Sequence, residues 1–288
     1  MTPSTKATKG FLMRFGAHIS TAKPFSDSIV RAKEVGCECM QIFVNPPQRW
    51  NPAEISEAEI ERFNKLNLDA KINPIIIHSI YLINLASNNP FYYEQSIKSL
   101  IDDMQKAAKI GAIGTNVHIG STKGGDLKDL MKKIDSAIKK ILDETPKKTD
   151  FVIENSAGAG NVIGDTIEEI AQIVWAVKSP RIKVLIDTAH AFESGYDLKL
   201  PDNIEKFLTN FEREIGLDKL VGFHLNDSKT AVSSHHDRHA DIGQGEIGLG
   251  TFEYLAKNPK LKDKFGILET PQEQMGWKKQ IQLLKSFR

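Results

Sequence analysis

Nine side chains in this sequence have the types and placing that metal-assisted hydrolysis requires. His78, His118, Glu154, Asp187, His190, His224, Asp237, His239 and Glu269 are imidazoles and carboxylates, which bind zinc and similar divalent ions without any thiolate. Nine donors are too many for one tetrahedral ion, but they serve two or three ions if one carboxylate bridges. In Asp237-Arg238-His239 the first and third side chains face the same way if the segment is extended, so these two could clamp one ion. Clustered ions suit phosphoester hydrolysis: one lowers the pKa of a bound water, others stabilise the charge at phosphorus and the leaving oxygen. Each residue alone also has a plainer reading, as a hydrogen-bonded histidine at a strand end or as a carboxylate paired with Lys or Arg. A buried unpaired carboxylate is costly, yet few basic residues lie beside Glu154 or Asp187. The plainer readings would have to hold independently at all nine positions.

The placing comes from the elements beneath. Apolar, β-prone runs occur at Phe15–Ser20, Met40–Val44, Pro74–Ser79, Thr115–Gly120, Phe151–Asn155, Lys183–Thr188, Val221–Asp227 and Gly266–Thr270. The third run ends in His78, the fourth in His118 and the fifth in Glu154. The sixth carries Asp187, with His190 three residues on; the seventh carries His224 and the eighth Glu269. Stretches with helical period lie between the runs. From Phe91 to Ile110 the stripe is Ile97, Leu100, Ile101, Met104, Ala107 and Ala108; from Asp126 to Leu142 it is Leu127, Leu130, Ile134, Ile138 and Ile141. Eight strand–helix units at a spacing of roughly 36 residues predict an α/β chain closed into a (β/α)₈ TIM barrel, whose sites lie at the C-terminal strand ends. The alternative is a doubly wound open sheet, but no glycine-rich phosphate fingerprint follows the first strand.

Length and composition agree. The 288 residues suit one large α/β domain, and 40% hydrophobic residues with 26% charge suit a chain with a sizeable core. The net charge of +1 rules out a global basic field, so contact with nucleic acid needs local potential or metal ions. Cys37 and Cys39 are two apart, where a disulfide would be strained; they read as reduced buried thiols, suited to a reducing cytosol. No apolar run approaches the ~18 residues of a membrane span. Residues 1–13 read as a disordered leader and 14–288 as one catalytic domain. A cytoplasmic protein is expected, nucleoid-associated in a prokaryote, with organelle targeting by the leader as the alternative.

From Arg14 onward the chain resembles the endonuclease IV family of zinc-dependent apurinic/apyrimidinic (AP) endonucleases of base excision repair. The strings that carry the likeness are GAHIS, HSIYLINL, VHIGS, IENSAGAGN, IDTAHAFESGYDL, HLNDSK, DRHADIGQGEIG and ILETP. The resemblance implies three zinc ions per chain, with manganese as a partial substitute. His78 and His118 would hold the first, and Glu154 would bridge it to the second. Asp187, His224 and Glu269 would complete the second; His190, Asp237 and His239 would hold the third. Glu154 is the expected catalytic residue. Water activated between the first two ions would cut 5′ to an abasic site in double-stranded DNA, leaving a 3′-hydroxyl and a 5′-deoxyribose phosphate, and 3′-blocked ends would be trimmed. The resemblance also implies a monomer and a DNA wedge. Tyr81 and Leu82 match the wedge positions, and unstacking is cheapest where a base is already missing. In NPPQRW (Asn45–Trp50), Gln48 and Arg49 stand in swapped order relative to the family string, so either could fill the gap in the stack. Lys229 and Arg238 are candidate phosphate contacts. His18 ends the first strand and is placed behind the ligands; His235 and His236 read as loop residues.

Two other functions fit part of this pattern. A sugar isomerase of the related metal-dependent barrels would use similar residues with one or two ions, but would need neither the Asp237/His239 clamp nor the Tyr81 loop. A catalytically silent DNA-binding barrel would not need a complete ligand set.

Overall fold

The computed structural model describes residues 12–288. Eight parallel strands close into a barrel: β1 (Arg14–His18), β2 (Cys39–Ile42), β3 (Ile75–His78), β4 (Gly114–Val117), β5 (Asp150–Glu154), β6 (Ile182–Asp187), β7 (Leu220–His224) and β10 (Phe265–Leu268). Each pairs with its neighbours in sequence order, and β10 returns to pair with β1. The doubly wound alternative is thereby excluded. The remaining strands, β8 (Asp227–Ser228) and β9 (His239–Ala240), form a small antiparallel ribbon.

Helices α1 (Asp27–Val35), α2 (Glu57–Ala70), α3 (Pro90–Ile110), α4 (Leu127–Asp143), α5 (Ile167–Val177), α7 (Pro201–Glu214), α8 (Leu249–Lys257) and α9 (Trp277–Ser286) accompany the barrel strands, and a short α6 (Thr188–Ser194) starts directly on β6. Their limits follow from local chemistry. Asn89 caps α3 by accepting from the Phe91 amide, Pro90 occupies the first turn, and Gly111 ends the helix at φ 71°. Asp126 caps α4 in the same way. Most of the expected stripes are buried, namely Ile97, Leu100, Met104, Ala107 and Ala108 on α3, and Leu130, Ile134, Ile138 and Ile141 on α4, while Ile101 and Leu127 are half-buried at their edges.

Inside the barrel, side chains alternate with a period of two. Cys39, Ile76, Val152, Leu185, Phe265 and Ile267 form a separate inner apolar cluster. Two residues further along the chain from Cys39, Ile76, Val152, Leu185 and Ile267 stand Gln41, His78, Glu154, Asp187 and Glu269. The apolar cluster is therefore a floor, and the polar residues are the layer above it. Gly16 on β1 serves this layering, since a Cβ there would fall 1.7 Å from the Cys39 carbonyl oxygen.

The apolar runs extend beyond the ladders at several strands. His118 and Glu269 each lie one residue past their strands, and buried residues such as Ile119 and Leu225 continue the hydrophobic signal beyond the ladders. Met13, placed in the leader by sequence, is buried in the core and its carbonyl accepts from Arg288; residues 1–11 lie outside the described residues. Cys37 and Cys39 are buried free thiols, and burial pushes the Cys37 thiol up to about 12. Among the described residues, no helix is long and apolar enough to cross a membrane.

Candidate metal centre

All nine residues converge at the C-terminal mouth. Three groups of ligand-type atoms lie there within 4.8 Å of one another: His78, His118 and Glu154; Glu154, Asp187, His224 and Glu269; and Asp187, His190 and His239. Glu154 is fully buried and joins the first two. Its Oε2 lies 3.5 Å from His78 Nε2 and 3.4 Å from His118 Nε2, while its Oε1 lies 2.8 Å from His224 Nδ1. One carboxylate thus presents one oxygen to each group.

The middle group closes around His224 Nδ1, which is 3.2 Å from Glu269 Oε2 and 3.8 Å from Asp187 Oδ2. In the third group Asp237 reaches in from a more exposed position, 3.4 Å from His190 Nε2 and 3.3 Å from His239 Nε2. Asp187 Oδ2 approaches the same His239 nitrogen at 3.6 Å, so it stands between the second and third groups. Tetrahedral ligands about 2.0–2.1 Å from zinc lie about 3.3 Å apart. Most of the spacings here are near that value and too long for strong hydrogen bonds, so the donor set fits divalent ions.

Local structure aims these atoms. Asp187 Oδ1 caps α6 by accepting from the amides of Ala189 and His190, which leaves Oδ2 for the mouth and sets His190 in the first turn. The Nδ1 atoms of His78 and His190 contact the main-chain carbonyls of Ser79 (2.7 Å) and Asn155 (3.1 Å). Donation from these nitrogens directs each Nε2 inward. On the ribbon, the Glu193 carboxylate accepts from the Arg238 amide, between Asp237 and His239.

The charges couple strongly. Burial would raise Glu154, but the facing imidazoles of His118 and His224 outweigh it and hold the carboxyl well below its usual range. Burial would lower His224, but Glu154 and Glu269 raise it to about 9. His190 is likewise held well above its usual value against burial, by Asp187 and Asp237. Asp237 falls to about 2, because its contacts with His190 and His239 overcome burial. Four carboxylates in this space demand positive charge. Protons on imidazoles supply part of it, and divalent ions would displace them.

Several residues at the site carried no sequence signal as donors. Gln41 contacts both His224 and Glu269. Asn116 donates to Glu154 Oε2, and Asn226 donates to Asp187 Oδ2 at 2.7 Å while accepting from the Glu269 amide. Their amides are neutral and short-range; only the inward period of their strands, or the strings TNVH and HLND, marks them. His18 bonds Glu269 Oε1 through Nδ1 at 2.9 Å, behind the ligands as expected. His235 and His236 are exposed on the loop that joins β8 to β9.

The expected DNA contacts surround the mouth. Tyr81 is 61% exposed and packs edge-on against Phe43, with Leu82 beside it at 36%. Tyr81 lines both a cavity of about 1010 Å³ over the metal groups and a second of about 600 Å³ on its other side. Gln48 and Arg49 are both exposed, on a loop tied to the Tyr81 loop by the Tyr81 amide donating to Pro47 O at 2.8 Å. The two phosphate candidates are already engaged: Lys229 pairs with Glu273 at 2.7 Å, and Arg238 donates to Asp237 O.

The family model described as a xylose isomerase-like TIM barrel matches residues 29–287. A probable endonuclease 4 of Halothermothrix orenii is 38% identical, the alignment covering 96% of this chain and 99% of that one. The apurinic-apyrimidinic endonuclease 1 of Saccharomyces cerevisiae is 33% identical over 99% of this chain and 78% of its own length. Among solved structures, endonuclease IV from Thermus thermophilus superposes with a TM-score of 0.85 at 32% identity, covering 95% of this chain and 98% of that one. The chain belongs to the endonuclease IV family and is a hydrolytic nuclease.

Proposed function

We propose that this endonuclease IV family member is a zinc-dependent AP endonuclease of base excision repair. It hydrolyses the phosphodiester 5′ to an abasic site in double-stranded DNA, leaving a 3′-hydroxyl and a 5′-deoxyribose phosphate, and trims 3′-blocked ends. The supporting observation is the division of Glu154: one oxygen toward His78 and His118, the other toward His224. The relatives named above as endonucleases, one of them apurinic-apyrimidinic, support the substrate.

In this reading the chain holds three zinc ions, with manganese as a partial substitute. His78 and His118 serve the first, Glu154 bridges, Asp187, His224 and Glu269 complete the second, and His190, Asp237 and His239 serve the third. When bound, such clustered ions activate water and stabilise charge on the phosphoryl and leaving oxygens. The protein's own residues orient and exclude. Asn116, Asn226 and Gln41 fix the carboxylates. Tyr81 and Leu82 enter the duplex at the missing base, and Gln48 or Arg49 fills the gap. Lys229 and Arg238 reach phosphates by leaving Glu273 and the Asp237 carbonyl. The protein acts as a monomer.

A duplex with a single tetrahydrofuran abasic mimic tests this directly. Zinc-loaded protein should nick it immediately 5′ of the lesion. A strand that stays intact sinks the proposal. Elemental analysis separates it from the sugar-isomerase reading, which requires one or two ions rather than three.

A further inference from the structure

Gln41 is fully buried on β2, and its amide meets three residues of the site. Its Oε1 lies 2.9 Å from His224 Nε2. Its Nε2 lies 2.6 Å from Glu269 Oε1 and 3.0 Å from His18 Nδ1. Amide nitrogen and oxygen are told apart by their partners, and here the partners leave one choice. A carboxylate oxygen only accepts, so the amide nitrogen must face Glu269 and the amide oxygen must face His224. That oxygen also only accepts, so a hydrogen sits on His224 Nε2. The proton that Nδ1 shares with Glu154 at 2.8 Å is the one a divalent ion would displace, and the ring would then offer its Nδ1 lone pair to the ion. Nδ1 is the atom that faces Glu154, Glu269 and Asp187.

His78 and His190 obtain the same service from main-chain carbonyls and present Nε2 instead. His224 presents the other nitrogen. Among the described residues, the hydrogen-bond partner of its Nε2 is Gln41. Neither a leucine nor a glutamate could do both tasks, since one lacks polar atoms and the other would bring a carboxylate against Glu269.

We propose that Gln41 is the positioning residue of the middle metal group: its carbonyl selects the tautomer of His224 that offers Nδ1, and its N–H group fixes Glu269. One neutral side chain thus sets two of that group's four donors. The inference rests on the three-zinc reading, but its test does not need DNA.

The full zinc-loaded chain and its Gln41→Met variant are titrated with a chelator while bound zinc is counted. Outer groups that tune metal ligands contribute about 10- to 100-fold in affinity. The variant should release the middle ion at a correspondingly lower chelator strength. On the tetrahydrofuran duplex its kcat should fall by a similar factor, with KM within about twofold. Wild-type zinc retention in the folded variant, with only a lower melting temperature, would reduce Gln41 to a packing role and overturn the proposal. A second measurement needs no Gln41 variant: nitrogen NMR of the histidine rings in the zinc-loaded wild-type protein, with the His224 signals assigned by comparison with His224→Gln. Hydrogen on Nε2 with a ligating Nδ1 is expected, and the reverse overturns the proposal even if the Met variant fails to fold. Failure of the wild type to cut DNA would sink the nuclease reading and leave the zinc titration interpretable.

Discussion

Glu154 is the residue on which the reading depends most. It is fully buried, and its two oxygens are divided between the first and second groups. Glu154→Ala should reduce incision by more than about 100-fold, beyond the usual cost of losing a supporting group, while circular dichroism shows a folded barrel. Near-normal turnover in that folded variant would remove the bridging role. Tyr81 is expected to matter less. It is exposed and touches the mouth through Phe43 and His78, and stacking by such a ring contributes about 1–3 kcal/mol. Tyr81→Ala should therefore weaken lesion binding by roughly 10- to 100-fold. A loss as deep as that of Glu154→Ala would mean the ring takes part in the chemistry itself. The charged donors were legible in the sequence because a carboxylate or imidazole at the end of an apolar strand is costly without a purpose. The amides of Gln41, Asn116 and Asn226 were not, since a neutral amide in the same place costs little to explain.

At the scale of the element, the loop bearing Gln48 and Arg49 is held from behind by α3. Asn45 Nδ2 donates to Asp102 Oδ2 and Asp103 Oδ1, both at 2.7 Å, and Asn45 Oδ1 accepts from the Ala53 amide and Lys106 Nζ. Burial raises Asp103 to about 7, against about 3.9 in an unfolded chain. Between those values the folded state holds a proton that the unfolded state has lost, so stability falls as pH rises through that window. Asp103→Asn removes the titration. Denaturant unfolding at pH 5 and pH 8 should show the variant gaining on the wild type at the higher pH, and a constant difference would count against the buried acid. Element identity was largely legible: the apolar, β-prone runs and the striped stretches of helical period predicted most of the barrel. The β8–β9 ribbon was not, because two-residue strands carry no period. They pair through backbone contacts such as the Lys229 amide donating to Arg238 O, and the Asp227 carboxylate accepts from the amides of Gly245 and Ile247 in the segment that follows.

At the scale of the whole molecule, metal and fold should be coupled. Ions that bind only the folded barrel stabilise it by about 4 kcal/mol at a thousandfold excess over their dissociation constant, which for a domain of this size is on the order of 10 °C in melting temperature. Removing zinc with a chelator should lower the transition by that order, and adding it back should restore both the transition and cutting. An unchanged transition in protein proven metal-free would separate the ions from the fold. The closure of the barrel has one more consequence. β1 pairs with β10, and His18 at the head of the chain meets Glu269 near its tail. The middle group therefore lacks a donor until the last barrel strand has been synthesised and has found the first. While the chain is still emerging from the ribosome the middle group stays unfinished, and it is completed only when the first and last barrel strands have paired.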